Sequence, residues 1–155
     1  MAKELGISEQ IVANQGEYAP AGSIFSYAFV GRDITGVSLS DQIFNIQQKL
    51  IKDIAQKEPC VIVGRCADYI LSDRDDVLNV FIEGNKPEKA ARIKKLYHKS
   101  DDEVKKLLKD VDKKRSVNYR YFTDKEGSRK NYDLVLNSSV LGYDKCIELI
   151  TAAYA

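Results

Sequence analysis

Val61, Ile62 and Val63 form an apolar, largely β-branched run that stops at Gly64-Arg65. Such side chains favour extended backbone, and an uninterrupted apolar run suits a strand buried on both faces of a parallel sheet. The pair that follows puts a guanidinium at the strand's carboxyl end, the edge at which open α/β sheets bind ligands. Two more strand-like runs come later, Val77–Ile82 and Tyr132–Leu136. Helical patterns lie before, between and after them. Strands alternating with helices predict an α/β chain whose parallel sheet is covered by helices.

The helices are signalled by their caps and their periodicity. Ser38-Leu39-Ser40-Asp41 offers capping groups, and Ile43, Phe44, Gln47, Leu50, Ile51 and Ile54 keep one helical face through Ala55. Lys57-Glu58-Pro59 stops it. Pro87 suits the first turn of a helix running to about Tyr97. Ser100 and Glu103 have capping-box spacing, followed by Val104, Leu107, Leu108 and Val111 at i, i+3, i+4 and i+7. A last helix is built on Tyr143, Cys146, Ile147 and Ile150. The polar turn Ser72–Asp76 either links two strands directly or hides a short helix. Residues 1–40 are less legible: Glu4–Val12 reads as a short helix, residues 16–22 as a loop, and Ile24–Val30 as a strand or a buried helical turn.

Composition narrows the function by exclusion. The 155 residues suit a single domain with a real core, and 44% hydrophobic with 30% charged residues is ordinary for a soluble chain. Lys plus Arg numbers 24 against 23 for Asp plus Glu, so a net charge of +1 argues against a nucleic-acid footprint. No apolar stretch approaches the length of a membrane span, and the N-terminus has no signal-peptide core. The three cysteines, Cys60, Cys66 and Cys146, lack metal-ligand spacing and are odd in number, which fits reduced thiols in a cytoplasm. His98, the only histidine, reads as a solvated surface residue.

Cationic chemistry must therefore be local. Arg65 can grip a phosphate or carboxylate with two parallel hydrogen bonds; the alternative is a structural salt bridge, for which Asp68 is nearest in sequence. Lys113, Lys114, Arg115, Arg120 and Arg129, interleaved with Tyr119, Tyr121 and Phe122, form a second basic cluster, either a solvated helix face or part of a site. Gly31–Ser38 fits the spacing of a phosphate loop, but Val37 stands where such a loop needs its lysine. A chance match is the better reading.

Pro59–Leu71, Val77–Ile82, Asp112–Arg115 with Asn118–Thr123, and Asn131–Val140, in that order, resemble the cytidylate kinase-like proteins of bacteria, a branch of the nucleoside monophosphate kinases. VIVGRCADYIL and NYDLVLNSSVLG are the most specific parts of a likeness that spreads over about residues 40–150. The resemblance implies a three-layer, P-loop-kinase-like parallel sheet with flanking helices, here lacking the first strand and the phosphate loop. Residues 1–155 would be one such domain, with residues 1–40 as its variable monophosphate-side region and about 100–131 as its helical lid. Gly64 and Arg65 would close the third strand with Arg65 on the nucleoside monophosphate, and Arg92 would face the monophosphate or its lid-side neighbour. Arg115 and Arg120 would be the catalytic lid arginines, and Lys114 would help bind ATP. The reaction is transfer of the ATP γ-phosphoryl group to a CMP-like monophosphate, with Mg²⁺ accompanying ATP.

Two departures accompany the likeness. Cys66 stands where typical cytidylate kinases have an acid, which weakens the case for cytosine. With no lysine-bearing loop, the chain as written is not expected to turn over at a meaningful rate. A non-catalytic nucleotide-binding or protein-interaction module on the same scaffold is the alternative. In the family's strand order, 2-3-1-4-5, a vacant central position would expose strand edges. That suggests Ile24–Val30 entering the gap, a homodimer pairing strands across it, or a domain that is only marginally folded.

Overall fold

A computed structural model describes residues 38–154. The readings of Glu4–Val12, residues 16–22, Ile24–Val30 and the Gly31–Ser38 motif lie wholly or almost wholly outside that range. The chain divides into two compact units, one of Met1–Leu71 with Asp110–Lys125 and one of Ser72–Lys109 with Glu126–Ala155. The described residues hold six α-helices and a parallel sheet of two strands, an α/β architecture.

In the first unit, helix α1 (Leu39–Lys57) starts where the sequence signals it. The extended Ser38 caps it, its hydroxyl accepting from the Asp41 N–H at 3.1 Å and donating to the Asp41 carboxylate at 2.6 Å. Asp41 in the first turn and Lys57 in the last complement the helix dipole. Ile43, Gln47 and Ile51, at i, i+4 and i+8, are its buried stripe. Phe44 stacks on Phe122 with ring centroids 4.1 Å apart and planes 11° from parallel. Glu58 ends the helix in extended backbone, as a residue before proline must favour.

The strand expected over Val61–Val63 does not form. Residues 59–63 are neither helix nor strand, and Val61 and Val63 are 94% and 81% exposed rather than buried. A β-branched run supplies the propensity for a strand, but its stability comes from ladder hydrogen bonds and cross-strand packing. None of the described strands pairs with it. The chain then makes a tight reversal through Gly64, Arg65 and Cys66 into a one-turn helix, α2 (Ala67–Ile70), whose Ile70 is buried with the following Leu71.

In the second unit, β1 (Val80–Glu83) pairs in parallel with β2 (Leu134–Asn137), Val80 opposite Leu134 and Glu83 opposite Asn137. Both strands start two or three residues later than their apolar runs. Ahead of the ladder Asp133 replaces strand pairing: its carboxylate accepts from the Asn79 N–H at 2.8 Å, while its own N–H donates to the Asn79 carbonyl at 2.9 Å. Leu136 is buried, and Phe81 packs against Tyr132 with ring centroids 5.0 Å apart.

The crossover between the strands begins with α3 (Lys86–Tyr97), which carries Pro87 in its first turn and ends in a left-handed His98. Helix α4 (Asp101–Thr123) follows, and the expected capping box is present: Glu103 accepts from the Ser100 N–H at 2.9 Å, and Ser100 accepts from the Glu103 N–H at 3.4 Å. Val104, 2% exposed, is the most buried large side chain among the described residues. Asp101–Lys109 belongs to the second unit and the remainder of α4 to the first. After β2 come α5 (Ser138–Leu141), capped by Asn137, and α6 (Tyr143–Tyr154), which buries Cys146. Ser72–Asp76 is a turn with no helix of its own; the short helix lies just before it, at α2.

Candidate functional site

The most constrained backbone among the described residues surrounds Arg65. Gly64, Arg65 and Cys66 have φ of 70°, 62° and 54°, three successive residues in the left-handed region. Glycine takes that conformation freely, whereas Arg65 and Cys66 each resist it by about 1–3 kcal/mol. The turn is closed by backbone hydrogen bonds from the Ala67 N–H to the Gly64 carbonyl at 3.2 Å and from the Ile70 N–H to the Cys66 carbonyl at 2.9 Å. Burial of the Cys66 side chain anchors it further.

Arg65 itself is half-buried and, among the described residues, has no ion-pair partner. The alternative of a structural bridge to Asp68 is not realised, because the Asp68 carboxylate instead accepts from the Tyr119 hydroxyl on α4 at 2.7 Å. Beside that contact, the Lys125 ammonium sits 5.5 Å from the centre of the Tyr69 ring. Helix α2 is thus fastened at Asp68 to the last turns of α4 and at Tyr69 to Lys125, two residues beyond that helix.

The basic cluster divides by burial. Lys114 is 7% exposed, so it is no surface cation. Arg115 and Arg120 lie on exposed positions of the same helix. Gly64, Arg65, Lys114, Arg115 and Arg120 all belong to the first unit.

Arg92 belongs to the second unit, on α3, where its guanidinium lies 5.7 Å from the centre of the Tyr143 ring and 3.4 Å from that tyrosine's hydroxyl. Arg129, also in the second unit, is paired with the Glu83 carboxylate at 2.6 Å. Its charge is therefore already matched at the end of β1.

The carboxyl edge of the β1–β2 sheet carries a polar junction that the sequence reading passed over. Ser138 donates to the Glu83 carbonyl at 2.9 Å, the Asn85 N–H donates to the Ser139 hydroxyl at 2.8 Å, and the Ser139 N–H donates to the Asn137 side chain at 3.1 Å. Gly84 sits against both hydroxyls: a Cβ there would lie 3.2 Å from Ser139 Oγ and 3.4 Å from Ser138 Oγ. The signal available in the sequence was two serines after a strand, opposite a glycine after its parallel neighbour.

Ionisation is perturbed away from these residues. Hydrogen bonding to Arg74 lowers the pKa of Asp76, hydrogen bonding to Lys94 lowers that of Asp101, and the Ser100 N–H lowers that of Glu103. Among the described residues no group of three or more His, Cys, Asp or Glu side chains is placed to hold a metal ion, and no helix is long and apolar enough to cross a membrane.

Comparison with known proteins places this architecture. No curated protein matches the chain. A crystal structure of an uncharacterized protein from Eubacterium ventriosum ATCC 27560 is similar, with a TM-score of 0.70 and 28% sequence identity, over 75% of this chain and 74% of that one. The profile of the cytidylate kinase-like family matches residues 1–140, and so takes in the N-terminal residues in which sequence patterns were least legible. On that match, the chain belongs to the cytidylate kinase-like family.

Proposed function

We propose that the chain is a nucleoside monophosphate-binding protein of the phosphoryl-transfer class, and that Arg65 grips the monophosphate of a CMP-like acceptor. The observation that carries this reading is the left-handed turn at Gly64-Arg65-Cys66, which holds a half-buried arginine that has no ion-pair partner among the described residues. Strain of this kind persists where a side chain must be held in a set position, and a guanidinium so held can take two phosphate oxygens at once. Arg115 and Arg120, with the buried Lys114, put positive charge on one helix of the same unit, where they would offset charge on a transferring phosphoryl group. Mg²⁺ enters as Mg-ATP, the phosphoryl donor.

A thermal melt of the full chain, alone and with millimolar CMP, UMP or Mg-ATP, tests this. Ligands that bind the native state raise the midpoint by mass action. CMP is expected to raise it, and Arg65→Ala to cancel that rise. A cooperative melt that no nucleotide moves would sink the proposal. It would favour the interaction module instead, a second reading supported by the exposed apolar side chains of Val61 and Val63.

A further inference from the structure

We infer that Tyr119 is a positioning residue for Arg65, acting through Asp68. The inference rests on the reading of Arg65 as the monophosphate ligand. Two successive non-glycine residues in the left-handed region do not hold that shape by local preference, so the geometry must be imposed from outside the turn. The four residues of α2 are too few to be stable alone. What fastens them is tertiary: burial of Ile70 with Leu71, the Lys125 ammonium near the Tyr69 ring, and the Tyr119 hydroxyl donating to Asp68 at 2.7 Å. The hydrogen bond is the directional member of that set. It is partly buried, joins residues 51 apart in sequence, and reaches the first turn of α2, three residues from Arg65.

Tyr119 also lies one helical turn beyond Arg115, so the two share a face of α4. A single hydroxyl therefore ties the turn bearing Arg65 to the helix face bearing a lid arginine. Losing it frees the Arg65-Cys66 backbone to relax toward ordinary φ values, which re-aims the guanidinium without removing any charge. The cost falls on ligand affinity as well as on stability, and this separates a positioning role from a merely structural one.

The test is calorimetric titration of the full chain with CMP, with a thermal melt of each variant as a check on folding. Tyr119→Phe removes one oxygen and is expected to weaken CMP binding by about three- to tenfold, and Asp68→Ala by a similar factor. Asp68→Asn keeps a carbonyl oxygen for the Tyr119 hydroxyl and is expected to bind nearly as the wild type does. Arg65→Lys keeps a charge but loses the fork. Adding Tyr119→Phe to it should cost less than the same change costs in the wild type, because the two act through one contact. Additive losses in that double variant overturn the inference. So does a Tyr119→Phe protein that melts earlier yet binds CMP with wild-type affinity; in that case Arg65 remains the ligand. Absence of CMP binding by the folded wild type defeats the functional reading, and this inference with it.

Discussion

Arg65 and His98 occupy the same left-handed region, at φ of 62° and 50°, for different reasons. His98 ends α3, is exposed, and sits where helices commonly place glycine. His98→Gly should therefore stabilise the chain by about 0.5–1 kcal/mol in urea unfolding and leave CMP titrations unchanged. Arg65→Gly should stabilise it by a similar amount, about 1 kcal/mol, while removing CMP binding. Opposed effects on stability and binding at one residue are what a strained functional position predicts. A destabilised Arg65→Gly protein would mean that the guanidinium holds the turn together. The identity of Arg65 as a candidate was legible in the sequence, from its place after an apolar run. Its left-handed backbone was not, because the neighbours that impose it, Asp68 and Tyr119, meet only in the folded chain.

At the scale of elements, local chemistry was read well and strand pairing only in part. Ser38 and the Ser100/Glu103 box start α1 and α4 as their spacing requires, since caps involve residues three apart. The true extent of α4, to Thr123, went unread because its second half carries cations in place of an apolar stripe. The strands depended on partners. Two apolar runs found each other and shifted by a few residues, while Val61–Val63 found none among the described residues. The box also gives α4 a pH dependence. The Ser100 N–H and hydroxyl and nearby Lys99 favour the charged form of Glu103, so its pKa is lower folded than unfolded. Its contribution is complete above the unfolded value and lost as pH falls through the folded one. Glu103→Gln should flatten that part of the acid unfolding profile, with little effect at neutral pH on the helix signal in circular dichroism. Ser100→Ala removes the cap and one of the hydrogen bonds that favour the charged Glu103; it should cost about 1 kcal/mol at neutral pH and less once Glu103 is protonated.

Across the whole molecule, exposure separates two valines that composition treats alike. Val104 is 2% exposed in one unit, and Val63 is 81% exposed in the other. Truncating a buried valine loses its transfer energy and leaves a cavity, so Val104→Ala should cost about 2 kcal/mol. Val63→Ala removes contacts that the described structure does not make, and should lie within about 0.5 kcal/mol of the wild type. Val63→Thr keeps the branched shape while replacing one methyl with a hydroxyl, and the same near-neutrality is expected of it. Urea unfolding of the three variants, repeated over a range of protein concentrations, checks this. If Val63→Ala or Val63→Thr proves as costly as Val104→Ala, the run at residues 60–63 is buried in solution. A cost that grew with protein concentration would assign that burial to a second copy of the chain. A cost independent of concentration would assign it to the chain's own residues and restore the buried strand that the apolar run foretells.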